Sequence, residues 1–155
     1  GLAWAVIYRF PEDEWLDFAE RDVEDLVENL KEADVVVGFN QIRFDYEVLR
    51  GYSGFDFRRL SSFDIMAEVQ RVLGHRLKLG SLASATLGAA KSADGIQSLR
   101  WWKSGEVEKV ASYCRQDVKV TRDLFYHILE HEYLLFEKRG IGLVRVPLKF
   151  DMSKL

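Results

Sequence analysis

The chain has 155 residues, of which 48% are hydrophobic and 30% are charged, and only two are prolines. A chain of this length buries roughly two thirds of its unfolded surface in a single core, so one ordered domain over residues 1–155 is expected. The composition excludes a linker or a disordered tail.

Charge and cysteine content limit the possible partners and the location of the protein. The net charge of −3 gives no overall attraction to phosphate, so a nucleic-acid contact would depend on local features or on bound cations. The one cysteine, Cys114, excludes an intramolecular disulfide framework and favours a reducing, cytoplasmic location. No apolar run of about 18 residues is present, so no membrane partner is expected.

The first part of the chain predicts a β-hairpin followed by a helix. Residues 1–10 are apolar on both alternating faces and predict a largely buried strand, and residues 15–18 return as a second strand after a polar turn. Asp22 is expected to cap a helix. The apolar residues of that helix follow the i, i+3, i+4, i+7 spacing and are Val23, Leu26, Val27 and Leu30.

A short buried strand ends next to an acidic residue. Residues 35–37 are all valine and precede Gly38, which predicts a strand buried on both faces. Asp45 follows, directly before a helical pattern over residues 46–50, at the kind of strand-to-helix junction where α/β sheets place their chemistry. Asp45 is therefore the first candidate for a functional residue, the alternative being an Asp that caps the following helix.

The middle of the chain is predicted as short elements. After a turn at 51–54, residues 61–73 indicate a strand end feeding a helix, with Asp64 near the transition and no role assigned to it. A basic turn, a short helix ending at Gly88 and a loop over residues 91–95 follow. The pair Trp101 and Trp102 predicts either core, which is favoured, or an exposed aromatic and basic surface.

A long helix dominates the last part of the chain. Its apolar stripe predicts a start at Glu106 and an end near Lys138, before Gly140, with a terminal strand over residues 141–150. Tyr113 and Asp117 are four residues apart on this helix, so their side chains lie one turn above the other.

Two separated motifs resemble those of a known family. They are Gly-Phe-Asn-Gln-Ile-Arg-Phe-Asp at 38–45 and Tyr-Cys-Arg-Gln-Asp at 113–117. Together they resemble the second and third motifs of the DEDD family of 3′-to-5′ exonucleases, in the variant whose last motif is Tyr-x-x-x-Asp. The resemblance covers nearly the whole chain and implies a ribonuclease H-like α/β fold, in which helices flank a mixed β-sheet.

The resemblance implies roles for individual residues. Asp45 and Asp117 would be ligands of Mg²⁺ or Mn²⁺ in a two-ion site, and the Tyr113 hydroxyl would orient the attacking water. Two ions about 3.5–4 Å apart activate water and screen the phosphate charge, and hard cations prefer carboxylate oxygens. The residues implied at the terminal nucleotide are Phe39, Asn40 and Phe44, although the two phenylalanines are alternatively core residues.

One part of the family pattern is missing. The first motif, Asp-x-Glu on the first strand, has no counterpart on a strand before Val35. Asp22 and Glu24 have the spacing but lie at a helix start, where the macrodipole favours acidic residues. We expect the chain to be a piece of a larger protein that begins just after this strand, and the sheet edge left open to be filled by residues 141–150 or by a second copy.

The resulting hypothesis is a metal-dependent 3′-to-5′ exonuclease domain acting on single-stranded DNA or RNA ends. An attached helicase or another nucleic-acid-processing domain and a homodimer are compatible with it. The alternative is a non-catalytic nucleic-acid-binding or scaffolding module of the same fold. A small-molecule enzyme is disfavoured because the sequence has neither a Gly-rich phosphate loop nor a nucleophile placed beside a base.

Overall fold

The computed structural model describes residues 1–88 and 95–154 and shows an α/β fold. Its strands are β1 (Trp4–Arg9), β2 (Glu14–Ala19), β3 (Val36–Gly38), β4 (Ser62–Asp64), β5 (Tyr133–Lys138) and β6 (Gly142–Pro147). Its α-helices are α1 (Val23–Glu32), α2 (Tyr46–Arg50), α3 (Ile65–Leu73), α4 (Leu79–Leu87), α5 (Gly95–Lys103) and α6 (Val107–His131). The α/β class predicted from the sequence is confirmed.

The strands pair in both orientations. β1 and β2 form the predicted antiparallel hairpin, β3 and β4 are parallel, and β5 and β6 form a second hairpin. Within the described part of the chain these pairs are three two-stranded sheets rather than one continuous sheet. β6 pairs with β5 and does not fill the edge of β1 or β3, so the first of the two predictions for that edge is wrong, and filling by a second copy stays a prediction.

Two hydrophobic clusters lie on either side of β3. The first joins the first hairpin, α1 and α2 and contains Phe18, Val23, Leu26, Val27, Tyr46, Leu49 and Phe57. The second joins α3, α4, α6 and the last hairpin, and its fully buried residues include Ile65, Val69, Leu82, Leu124, Ile128, Leu134 and Val146. Val36 packs against the first cluster and Val37 against the second, so both faces of β3 are covered as predicted, but its residues are half-buried rather than fully buried.

The long helix is shorter than predicted. α6 ends at His131 rather than near Lys138, because Glu132 takes a left-handed conformation with φ 60°. The residues that follow alternate as a strand, with Leu134 and Phe136 buried. Gly140, predicted to end the helix, has φ +80° and lies in the turn between β5 and β6. The predicted terminal strand over 141–150 is confirmed as the shorter β6.

The region before α6 also differs from the prediction. Of the loop predicted over residues 91–95, residues 91–94 lie outside the described residues, and Gly95 begins α5. Trp101 is half-buried, but Trp102 is 41% exposed, so the favoured prediction of a core pair is wrong for Trp102. None of the helices in the described ranges is long and apolar enough to span a membrane.

Candidate functional site

Residues 39–45, which we call the 39–45 loop, connect β3 to α2. Its second residue, Asn40, lies in the left-handed region at φ 63°, and a π-helical turn, Gln41–Asp45, follows. Its close packing requires glycine at position 38, because a Cβ there would lie 2.6 Å from the side-chain carbonyl group of Gln41. The sequence prediction of a turn at Gly38 and a strand-to-helix junction at Asp45 is confirmed.

The Asp64 carboxylate holds this loop from the neighbouring strand. It accepts the backbone N–H of Asn40 at 2.8 Å on Oδ1 and that of Ile42 at 3.2 Å on Oδ2. It also caps α3, because Oδ1 accepts the N–H of Ala67 at 3.2 Å. Asp64 is only 4% exposed, so these hydrogen bonds compensate for the loss of hydration at a buried carboxylate. Its register partner at the ends of the parallel strands is Gly38.

The Gln41 side chain fixes the same loop to strands β3 and β4. Its side-chain amide donates to the carbonyl oxygens of Val36 at 3.3 Å and Phe63 at 3.2 Å, and so bridges β3 and β4. The residue is 5% exposed, and Oε1 has no hydrogen-bond partner in the described part of the chain. Gln41 and Asp64 were missed as positioning residues, because the sequence shows neither the parallel pairing nor the left-handed turn that brings them together.

Asp45 does not cap α2. Its backbone is helical, with φ −62° and ψ −43°, and its side chain makes no capping hydrogen bond. The alternative interpretation of Asp45 as a capping residue is therefore wrong. Dehydration by the surrounding protein and, to a smaller extent, repulsion by the Asp64 carboxylate raise the pKa of Asp45 to about 6, although the side chain still reaches solvent.

Tyr113 and Asp117 lie half-buried on successive turns of α6. Between them, Cys114 turns towards the first hairpin, with its Sγ 3.9 Å from the carbonyl oxygen of Trp4. Burial raises the pKa of the Cys114 thiol to about 11, with further contributions first from Asp117 and then from Asp45. The charges of Asp117 and Asp45, one from each motif, therefore both act on one half-buried thiol, although the two residues are far apart in the sequence.

A third carboxylate near this thiol is already committed to other partners. Asp17 on β2 pairs with Arg115 on α6 and accepts the indole N–H of Trp4 at 3.1 Å. Its charge also contributes to the raised pKa of Cys114. Asp17 therefore ties the first hairpin to α6, a role that its place on a strand does not reveal in the sequence.

The residues predicted at the nucleotide differ in exposure. Phe39 is half-buried and packs against the second hydrophobic cluster, in agreement with the alternative prediction of a core residue. Phe44 is 63% exposed and Ile42 46% exposed, so the tip of the 39–45 loop presents apolar surface to solvent. Asn40 is held by Asp64 through its backbone, and its Oδ1 lies 3.4 Å from a guanidinium nitrogen of Arg76.

The donor chemistry around Asp45 suits a hard divalent cation only in part. Carboxylate oxygens are the ligands that Mg²⁺ and Mn²⁺ prefer, and a cation would favour the charged form of Asp45, which burial and, to a smaller extent, the Asp64 carboxylate disfavour. However, the carboxylate oxygens of Asp64 already accept hydrogen bonds from backbone N–H groups, and those of Asp17 already accept from the Trp4 indole and pair with Arg115. Within the described ranges, no group of three or more His, Cys, Asp or Glu side chains is arranged to hold an ion.

A family model described as RNase_H superfamily matches residues 14–129, three quarters of the chain. The chain belongs to the RNase_H superfamily. The match includes both the 39–45 loop and the segment of α6 with Tyr113 and Asp117. Neither a curated protein nor a solved structure matches the chain. Membership of the RNase_H superfamily agrees with the fold and points to nuclease chemistry on nucleic acid, while the exonuclease subtype remains a prediction.

Proposed function

We propose that this RNase_H-superfamily chain is the main part of a metal-dependent 3′-to-5′ exonuclease domain that acts on single-stranded DNA or RNA ends. The observation that carries the proposal is that the family match over residues 14–129 includes both acidic motifs, the 39–45 loop with Asp45 and the segment of α6 with Tyr113 and Asp117. The contributions of the Asp117 and Asp45 charges to the raised pKa of the Cys114 thiol support it, because one carboxylate from each motif acts on the same group. Burial also raises the pKa of Asp45, and a carboxyl group with a perturbed pKa is typical of a functional site rather than of a solvated surface.

The proposal assigns roles to the residues already described. Asp45 and Asp117 hold Mg²⁺ or Mn²⁺, which when bound supplies an activated water and screens the phosphate charge. The Tyr113 hydroxyl, one helical turn from Asp117, orients that water. Asn40 and exposed Phe44 contact the terminal nucleotide, and Phe39 supports the loop from the hydrophobic core.

Asp64 and Gln41 complete the proposal as positioning residues. The distance between a water, an ion and a scissile bond must be held closely, because a misplacement of about 1 Å costs roughly a hundredfold in rate. Asp64 fixes the backbone at two residues of the 39–45 loop, and Gln41 fixes it to the strands below. The loop therefore presents Asp45 and Asn40 from a rigid support.

The alternative function is a nucleic-acid-binding module of the same fold without catalysis. The scarcity of uncommitted carboxylates around Asp45 favours it, since two ligands hold a hard cation weakly. Both functions use the same nucleic-acid partner. An attached helicase or other domain, a homodimer and a cytoplasmic location remain predictions from the sequence.

The experiment that decides between the two functions uses the protein expressed from its full reading frame and a single strand labelled at its 5′ end. With Mg²⁺ or Mn²⁺ the strand should shorten from its 3′ end, and a chelator should stop the reaction. Asp117→Ala should abolish shortening, whereas Tyr113→Phe should slow it. Asp123→Ala is the matched control, because Asp123 lies on the same helix and pairs with Arg122. Retained shortening in Asp117→Ala would refute the assignment.

A further inference from the structure

Helix α5 has an apolar and basic outer face that the site residues do not explain. Leu99 is 52% exposed and Trp102 is 41% exposed, and Arg100 and Lys103 beside them are also exposed. We call these four residues the α5 ridge. A large exposed aromatic flanked by cations is unusual on a folded domain, where tryptophan is mostly covered.

The α5 ridge is fixed to the start of α6. Trp101, the inner neighbour of Trp102, is half-buried, and Lys109 Nζ lies 5.9 Å from the centre of its ring. The N–H of Glu106 donates to the carbonyl oxygen of Trp101 at 2.8 Å, which closes the turn between the two helices. The ridge therefore has a defined place at the N-terminal end of α6.

At this end of α6, Lys109 lies on the same side of the helix as the proposed site residues. Lys109, Tyr113 and Asp117 are spaced four residues apart, so they follow one another along one side of the helix. The distance from Lys109 to Asp117 along the axis is about 12 Å at 1.5 Å per residue. A chain of groups therefore leads from Asp117 past Tyr113 to Lys109, which contacts Trp101 beneath the ridge.

We propose that the α5 ridge and Lys109 bind the nucleotides that precede the 3′ end of a single strand, an inference that rests on the proposed function. Trp102 and Leu99 provide stacking and apolar contact for bases, which requires no particular sequence. Arg100, Lys103 and Lys109 provide cations for phosphates, in a chain whose net charge is −3.

The acidic residues near the ridge do not cancel these cations. Glu106 lies 2.8 Å from Lys109 Nζ, but the two side chains are 39% and 57% exposed, and an ion pair this exposed is weak. Glu108 is also exposed. A phosphate can therefore compete for Lys109 at little cost, and the charge of the face favours a polyanion over a neutral or acidic protein partner.

The test compares long and short substrates. Trp102→Ala in the full-length protein should raise KM for a 12-nucleotide single strand by about 5- to 100-fold, the range measured for loss of one stacking contact, with little change in kcat. Cleavage of a dinucleotide, which is too short to reach the ridge, should stay within twofold. Ile141→Ala, which removes an exposed side chain in the turn between β5 and β6, is the matched control and should change neither value.

A direct binding measurement distinguishes failure of this inference from failure of the exonuclease proposal. With a fluorescent 12-nucleotide strand, Trp102→Ala should weaken binding and Asp117→Ala should not, whether or not the protein cleaves. Arg100→Gln and Lys103→Gln should each reduce the slope of log affinity against log salt by about 0.7, the value for one phosphate contact on a single strand. Unchanged binding in Trp102→Ala, or an equal loss on long and short substrates, would overturn the inference.

Discussion

Asp64 accepts the backbone N–H of Asn40 at 2.8 Å, and this hydrogen bond joins the end of β4 to the loop that follows β3. Asn40 has a positive φ of 63°, which a residue other than glycine adopts at a cost unless its surroundings hold it. The buried carboxylate provides that support. The positions of Asp45 and Phe44, further along the same loop, therefore depend on a residue that lies outside both sequence motifs.

Removal of the Asp64 carboxylate should destabilise the protein. Asp64→Ala breaks three hydrogen bonds from backbone N–H groups, one of them the cap of α3, and should lower the free energy of unfolding by about 2–4 kcal/mol in urea titration. Asp64→Asn keeps one acceptor oxygen and should lose less. Asp56→Ala is the control, since exposed Asp56 caps only a short turn. A loss in Asp64→Ala no larger than in the control would contradict the prediction.

The Cys114 thiol should react slowly. Because burial and neighbouring carboxylates raise its pKa to about 11, little thiolate forms at pH 8, and alkylation by iodoacetamide should be at least tenfold slower than for a free cysteine. The rate should keep rising towards pH 11. Asp117→Asn removes the largest of the three charge contributions, so it should lower the pKa of Cys114 and speed alkylation.

Asp123→Asn serves as the comparison for Asp117→Asn, because Asp123 lies on the same helix but does not contribute to the pKa shift of Cys114. An equal rate increase in both variants would show that alkylation reports opening of the helix rather than charge. An unchanged rate in Asp117→Asn would place its carboxylate too far from the thiol to act on it.

Asp45 should destabilise the metal-free protein at neutral pH. Folding raises its pKa from 3.8 to about 6, so the folded state binds more protons between these values and loses stability as pH rises through that window. Above pH 7, Asp45→Asn should therefore be more stable than the original protein. Since the carboxyl still reaches solvent, the gain should be about 1 kcal/mol, or about 2–4 °C in Tm.

The same comparison at pH 3.5 should show no difference, because Asp45 is then mostly protonated in both states. The measurements need a chelator, so that no cation offsets the charge. Asp34→Asn, at an exposed position between α1 and β3, is the control and should leave Tm unchanged at both pH values. A gain that persists at pH 3.5 would point to packing rather than to charge.

Secondary-structure elements that are encoded by a local residue pattern could be predicted from the sequence. Three valines before Gly38 predicted the short strand β3, although its residues are half-buried rather than buried, and the apolar stripe predicted most of α6. The end of α6 was missed because it depends on a left-handed Glu132, a residue type that carries no stop signal, while the pattern after it fits both a helix and a half-buried strand.

The residues that position the candidate site were not predicted, for a different reason. Asp64 and Gln41 act across the parallel pairing of β3 and β4, and this pairing is a long-range contact that no local pattern encodes. Asp17 was missed in the same way, since its partner Arg115 lies far along the chain. The motif residues could be named because their types and order resemble a family, whereas the residues that hold them became visible only in three dimensions.

The 155 residues by themselves should bind Mn²⁺ only loosely. In the proposed site Asp45 and Asp117 supply two of the four carboxylates that the resemblance to the exonuclease family implies, and a hard cation loses both charge compensation and geometry when ligands are absent. Calorimetric titration should show affinity well weaker than low micromolar, together with little nuclease activity. Asp117→Ala should remove the binding that remains, while Asp123→Ala should keep it. Tight binding of two ions would mean that further carboxylates, Asp64 first among them, give up their present hydrogen bonds to complete the site.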